Sequence, residues 1–312
     1  MSILKFGILS DLFSGKSFLL GIGSQRAGST LLHKLLSRAT SNILMHPVKE
    51  LHYFDSLFGI RHPQALMDFS AAQLVRVVKN LGLEAIEDEQ ALSKIMQCYV
   101  RANRILSTRK INAIEYQDLF RPCLQGRKWF GEITPEYMLM NDEQIQQAQE
   151  VIAADRIVVV LMVRHPARRY LSAFKLQQVY MRNSDEAVEH DQLALLEKFK
   201  LSLRSEDGWN QCQDRYNHFA ETVERWQSHF GDDFLALSID LLVGDTNSAL
   251  QRISERTGFQ FEQQEVQAVM KNKVNDVGVS FSLDDEAIDL CEKRFGAVAK
   301  QLHELMGCEL TL

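Results

Sequence analysis

Residues 17–36 read SFLLGIGSQRAGSTLLHKLL. The first seven, Ser17 to Gly23, form a short apolar run of strand length that closes on a glycine. Leu31, Leu32, Leu35 and Leu36 then recur at the spacing of one helix face. A strand, a tight glycine turn and a helix bring the free N–H groups of a first helical turn and the positive end of its dipole to one point, which suits an anion. Gly23 and Gly28 keep the spacing of the GxxxxGK[ST] phosphate loop, but Ser29 stands where the lysine belongs, and Thr30 follows. Arg26 instead places its charge inside the turn. The loop is therefore expected to hold an anion without the lysine that reaches a γ-phosphate. The plainer alternative is an ordinary helix start capped by Ser29 or Thr30.

Working outward, four more runs have strand length: Asn42 to His46, Lys128 to Ile133, Arg156 to Val163 and Asp233 to Ile239. Helical or polar stretches separate them, which predicts an α/β protein with a mainly parallel, P-loop-like sheet flanked by helices. The run with Val158, Val159 and Val160 in succession is expected to be central. Phe219, Val223, Trp226 and Phe230 give one later helical stripe, and further helices are expected at about 246–257, 262–271 and 284–306. The stretch 60–125, with LVRVVKNLGLEAI and QALSKIMQCYV, is helical in character and has no glycine-rich or proline-rich linker on either side. It reads as a helical insertion, so that residues 1–312 make one domain.

The chain has 312 residues, 46% of them hydrophobic, with 41 acidic and 35 basic residues and a net charge of −6. A general nucleic-acid surface is not expected from that balance. Five scattered cysteines without a CxxC pair argue against a disulfide framework or zinc knuckle and fit a reducing compartment. The opening MSILKFGILSDLFSGK is broken by Asp11 and Gly15 before it reaches signal-peptide length, and no apolar window spans a bilayer. A cytoplasmic protein with no membrane anchor is expected; oligomeric state is not readable.

Two further stretches carry chemistry. VRHPARRYLSAF, Val163 to Phe174, follows the valine-rich strand, and Pro166 suits a first helical turn. Arg164 thus leaves a strand's carboxyl end, with Ser172 two helical turns on and Arg168 and Arg169 between them. Ligands of open α/β sheets bind outside those strand ends, so this predicts a second anion site on the same rim. Three arginines at a helix start are unfavourable without an anion to compensate them. VKELHYFD, Val48 to Asp55, follows the second strand. Glu50 and His52 alternate with Leu51 and Tyr53, so an extended segment would turn both toward the rim as a carboxylate–imidazole pair able to act as a general base. A surface strand edge or a metal pair of His46 with His52 are the alternatives.

The three stretches resemble, in order and spacing, those of the sulfotransferases that use 3′-phosphoadenosine-5′-phosphosulfate (PAPS), in particular the heparan sulfate branch and its bacterial relatives. The resemblance spans nearly the whole chain. It implies that Ser24, Gln25, Arg26, Ala27, Gly28, Ser29 and Thr30 cradle the 5′-phosphosulfate, and that Arg164 and Ser172, with Pro166 between them, hold the 3′-phosphate. Glu50, His52, Tyr53, Phe54 and Asp55 are similar to the Glu-x-His-Phe-Phe-Asp segment of the 3-O-sulfotransferases, which implies catalytic roles for Glu50 as base, His52 and Arg26. GEITPEY, Gly131 to Tyr137, resembles the Glu-Lys-Ser/Thr-Pro-x-Tyr segment, with Ile133 in place of its lysine. ALSIDLLVGDTNSALQRISERTGF resembles the family's late strand and helix, and Lys271 and Lys273 loosely represent its basic loop.

The resemblance further implies metal-independent, in-line transfer to a hydroxyl or amine of a saccharide or small metabolite. The acceptor pocket is expected from the insertion and the segments around Tyr53, Tyr137 and Phe174. A non-catalytic nucleotide-binding protein of the same fold and a P-loop kinase remain the rival readings.

Overall fold

The computed structural model describes residues 12–82, 92–123, 126–180, 191–271 and 278–307. Five strands, β1 (Ser17–Gly23), β2 (Ile43–Met45), β3 (Trp129–Ile133), β4 (Arg156–Val163) and β5 (Phe234–Ser238), form one sheet in the order β2-β3-β1-β4-β5. Every pairing is parallel. The middle strand is β1 rather than the valine-rich β4, which lies beside it; both are covered on two faces, so both read as continuous apolar runs.

Alternation along the strands sorts two cores. Phe18, Leu20 and Ile22 of β1 and Val159, Leu161 and Val163 of β4 join Tyr116, Phe120 and Trp226 on one face. Leu19, Val158, Val160 and Met162 join Leu32, Leu35, Leu36 and Ile253 on the other. A third cluster, built on Tyr170, Phe174, Phe199 and Phe295, packs beyond the end of β4.

In chain order the described helices are α1 (Ser29–Arg38), α2 (Tyr53–Leu57), α3 (Pro63–Leu81), α4 (Lys94–Thr108), α5 (Asp142–Ile152), α6 (Pro166–Tyr180), α7 (Gln192–Arg204), α8 (Gly208–Arg215), α9 (Phe219–Phe230), α10 (Ile239–Gly244), α11 (Thr246–Thr257), α12 (Gln263–Met270) and α13 (Asp285–Met306). Between β2 and β3 the described residues are largely helical: α3 and α4 pack on each other and short 3₁₀ turns precede β3. Among the described residues no helix is long and apolar enough to cross a membrane.

The topology places the site. From β1 the chain passes to one side of the sheet and from β4 to the other, so their carboxyl ends border the crevice where open α/β sheets bind ligands. In register, Gly23 lies beside Met162, so the loop after β1 and the segment starting at Arg164 emerge next to each other.

Candidate active site

The anion loop is shaped by close approach. A Cβ at Gly23 would lie 2.9 Å from both the backbone N and O of Met162, so only glycine lets β1 run this near β4. The Ser24 N–H donates to Met162 O at 3.1 Å, and the Ser24 hydroxyl to Tyr216 O at 2.9 Å. Arg26 adopts a left-handed backbone, φ 68°. Gly28, φ 96°, occupies the N-cap of α1 with no side-chain hydrogen bond, and its carbonyl accepts from the Leu31 N–H at 2.9 Å and the Leu32 N–H at 3.1 Å.

Beside the loop, the Arg26 Nε–H donates to Ser172 Oγ on α6 at 3.0 Å, and Arg164 Nη1 donates to the Arg26 carbonyl at 3.0 Å. The two predicted anion sites are therefore joined. Burial lowers the Arg26 pKa; burial also lowers that of Arg164, and the charges of Arg168 and Arg26 lower it further against Asp240. The buried Arg164 Nε has no hydrogen-bond partner. Clustered, partly dehydrated guanidiniums with an orphaned donor fit a polyanionic ligand.

Arg169 does not join them. It is fully buried and spends its donors on Asn217 Oδ1 (2.7 Å), Gln213 Oε1 (3.0 Å) and Gln213 O (2.7 Å). One of the three arginines at this helix start therefore serves the core.

The segment after β2 is not extended. Glu50 and His52 both take left-handed backbone, φ 65° and 50°, because the chain turns there into α2, whose N-cap is His52. They nevertheless meet: Glu50 Oε2 lies 3.6 Å from His52 Nε2, while Lys49 Nζ contacts Glu50 Oε1. His52 Nδ1 donates to Asp55 Oδ2 at 2.8 Å and lies 3.7 Å from Glu136 Oε2. Arg61 Nη1 lies 3.6 Å from Glu136 Oε1, and Gln25 Nε2 donates to that same oxygen at 2.5 Å, tying the anion loop to this cluster.

Burial by itself would neutralise His52, but Glu136, Asp55 and Glu50 outweigh it and raise its pKa to about 10. Its carboxylate neighbours favour the protonated ring, while Arg61 Nη1 lies 3.3 Å from His52 Nε2. Burial likewise raises the Glu50 carboxyl, yet His52 and Lys49 overcome this and hold it at about 2. Its side chain remains 33% exposed, within reach of a bound molecule.

His52, Asp55 and Glu136 offer donor atoms all within 4.8 Å of one another, a spacing open to a metal ion. Here Glu50, Asp55 and Glu136 are matched by Lys49, His52 and Arg61. The pairing of His46 with His52 is corrected. His46 is fully buried, its Nδ1 and Nε2 facing backbone groups of Val48 and Leu119, and burial lowers its pKa to about 4.

Three participants were not assigned a role from the sequence. Glu136 stood inside the quoted GEITPEY stretch, whereas nothing in spacing marked Arg61. Glu132, also in GEITPEY, lies fully buried in β3 and accepts from Tyr116 (2.7 Å), Tyr137 (3.0 Å) and Thr134 (2.8 Å) hydroxyls. The Tyr137 hydroxyl accepts in turn from the Tyr53 N–H (3.1 Å), and Thr134 Oγ1 receives the His52 N–H (3.4 Å). Glu132 thus anchors the turn at Glu50 and His52 from behind.

Tyr53, Tyr137 and Phe174 belong to the core and line no acceptor surface: all three are buried, and the Tyr53 hydroxyl donates to Ile114 O at 2.7 Å. Ile133 is also fully buried, filling the space over Gly21, where a Cβ would come within 2.4 Å of Ile133 Cγ1. A lysine would have to leave that core to reach the rim, so Lys49, Arg61 and Arg26 carry the local positive charge. Lys271 closes α12, and Lys273 lies outside the described residues.

A five-stranded parallel sheet with an anion loop and flanking helices is the P-loop-like α/β fold of sulfotransferases. The family model described as "Sulfotransferase family" matches residues 19–263, and the chain belongs to that family. It is therefore an enzyme of the sulfotransferase class. A sulfotransferase from Alicyclobacillus acidocaldarius is 16% identical, with a TM-score of 0.55 over 94% of this chain and 96% of that one. The sulfotransferase domain from the curacin biosynthetic pathway is 15% identical, with a TM-score of 0.50 over 96% and 99%. A mouse sulfotransferase in complex with PAP is 13% identical, with a TM-score of 0.44 over 94% and 85%. No curated protein sequence matches the chain.

Proposed function

We propose that this protein moves a sulfuryl group from PAPS to a hydroxyl or amine acceptor, without a metal ion, as one cytoplasmic domain carrying the insertion at about 60–125. The observation that supports it most is the convergence of Arg26, Ser172 and Arg164 at one strand edge, linked through Gln25 and Glu136 to the Glu50–His52 cluster. PAPS supplies an activated sulfuryl group on a good leaving phosphate.

In this reading Ser24 through Thr30 bind the 5′ end with main-chain donors and Arg26, and Arg164 with Ser172 binds the 3′-phosphate. Arg26 and the helix start stabilise the charge that grows on the bridging oxygen as its bond to sulfur breaks. Glu50 accepts the acceptor's proton as the new bond to sulfur forms; the proton then passes to solvent. A carboxylate held at about 2 is a weak base toward a resting hydroxyl, so the proton moves late, once bonding to sulfur has acidified the nucleophile. The His52 imidazolium orients Glu50 and faces the developing negative charge.

Glu50→Gln tests the base. Transfer of labelled sulfate should fall by about 100-fold or more, while adenosine 3′,5′-bisphosphate still binds. Near-normal transfer by this variant would place the base elsewhere.

A further inference from the structure

A cavity of about 550 Å³ opens in the insertion, lined by Leu57, Met67 and Leu106 among other apolar groups and bordered by Arg109 and Lys110. Its size is that of a small-molecule site. Arg109 and Lys110 are both exposed, and neither has an acidic partner among the described residues. Ser56, 2% exposed, also lines it, and its buried hydroxyl has no hydrogen-bond partner. An apolar chamber with two exposed cations at its border is complementary to an apolar body carrying an anionic group.

The chamber shares a wall with the catalytic cluster. Ser56 lies one helical turn after His52 and directly after Asp55, the partner of the imidazolium. The Ile60 and Arg61 N–H groups both donate to Asp55 O, at 2.8 and 3.0 Å, so the segment returning from the chamber carries Arg61 straight to Glu136.

We infer that this chamber holds the acceptor, and that the acceptor is an amphipathic hydroxy anion: an apolar body in the insertion, a carboxylate or similar anion at Arg109 and Lys110, and its hydroxyl toward Glu50. The inference rests on the sulfuryl-transfer reading. In the reaction the acceptor oxygen bonds to sulfur, the bridging oxygen of PAPS leaves with its electron pair, and the hydroxyl proton passes to Glu50.

The test uses decanoate, its terminal hydroxy derivative and decanol as probes, with displacement of an anionic apolar dye as readout. Decanoate should lose about tenfold or more in affinity in the double variant Arg109→Ala/Lys110→Ala, a change of about 1.4 kcal/mol, while decanol is unaffected. Met67→Trp, filling the chamber, should weaken both, with stabilisation by adenosine 3′,5′-bisphosphate retained as proof of folding. The hydroxy acid should accept labelled sulfate and decanoate should not.

Equal decanoate affinity in the double variant, or unchanged binding in Met67→Trp, overturns the chamber's ligand class. Selective binding with bisphosphate stabilisation but no labelled hydroxy acid overturns its role as acceptor site. Loss of bisphosphate stabilisation in the wild type would instead strike the transfer reading itself.

Discussion

His52 shows how one side chain's neighbours overrule its burial. Alone in that position the imidazole would be neutral; Glu136, Asp55 and Glu50 make it a cation with a pKa near 10, above the ordinary 6.5. A group whose folded pKa is raised contributes stability fully below the unfolded value and loses it as pH rises through the folded one. The melting temperature of the wild type should therefore fall between about pH 7 and pH 10 more steeply than that of His52→Gln, measured by scanning both across that range. Glu132 has the same sign for a different reason: burial dominates its three hydroxyl donors and raises its carboxyl to about 7. Its contribution is present below about 4.5 and fades as pH passes 7. Glu132→Gln should gain stability relative to wild type between pH 5 and pH 8, on the order of 2 kcal/mol, read from denaturant midpoints. At the rim, His52 and Lys49 hold the Glu50 carboxyl below its usual range, so an acid limb set by Glu50 is expected below the ordinary carboxylate pKa.

At the scale of elements, the loop-to-helix joint carries the strictest demand. Gly28 has φ 96°, and a Cβ there would meet Ile239 Cδ1 at 2.3 Å. Gly28→Ala should lower the melting temperature by several degrees, for a cost of about 1–3 kcal/mol. It should also weaken bisphosphate binding about tenfold, by calorimetry, because the proposed 5′ cradle is built around this residue. Strands were legible to within a residue at each end, since continuous Val, Ile and Leu runs between polar segments leave little choice. The turn at Glu50 and His52 was not. Alternating polar and apolar residues spell an extended segment, and only the anchoring of the His52 and Tyr53 N–H groups by Thr134 and Tyr137 makes it curl. Arg169 was misplaced for a similar reason: helical spacing gives a face, but which face meets the core depends on where α8 and the turn after it carry Gln213 and Asn217.

At the scale of the whole molecule, a parallel sheet presents a crevice at its switch point, and helices lie between β2 and β3. Adenosine 3′,5′-bisphosphate at about 100 times its Kd should stabilise it by about 2.7 kcal/mol. The shift should be the same with magnesium or with a chelator, whereas ATP with magnesium should give little; a shift that needs magnesium would contradict the charge-balanced reading of the Glu50–His52 cluster. Local order in the chain determined the strand-loop-helix unit, its missing lysine and the arginine–proline–serine spacing. These depend on periodicity and turn chemistry within some twenty residues. Only the tertiary structure decided the rest: that Arg26 would meet Ser172, that Glu136 and Arg61 would complete the cluster, and that the insertion would enclose an apolar chamber beside it. Those groups are separated along the chain by connections whose paths no local pattern specifies, and it is the packing of the sheet and its covering helices that brings them together.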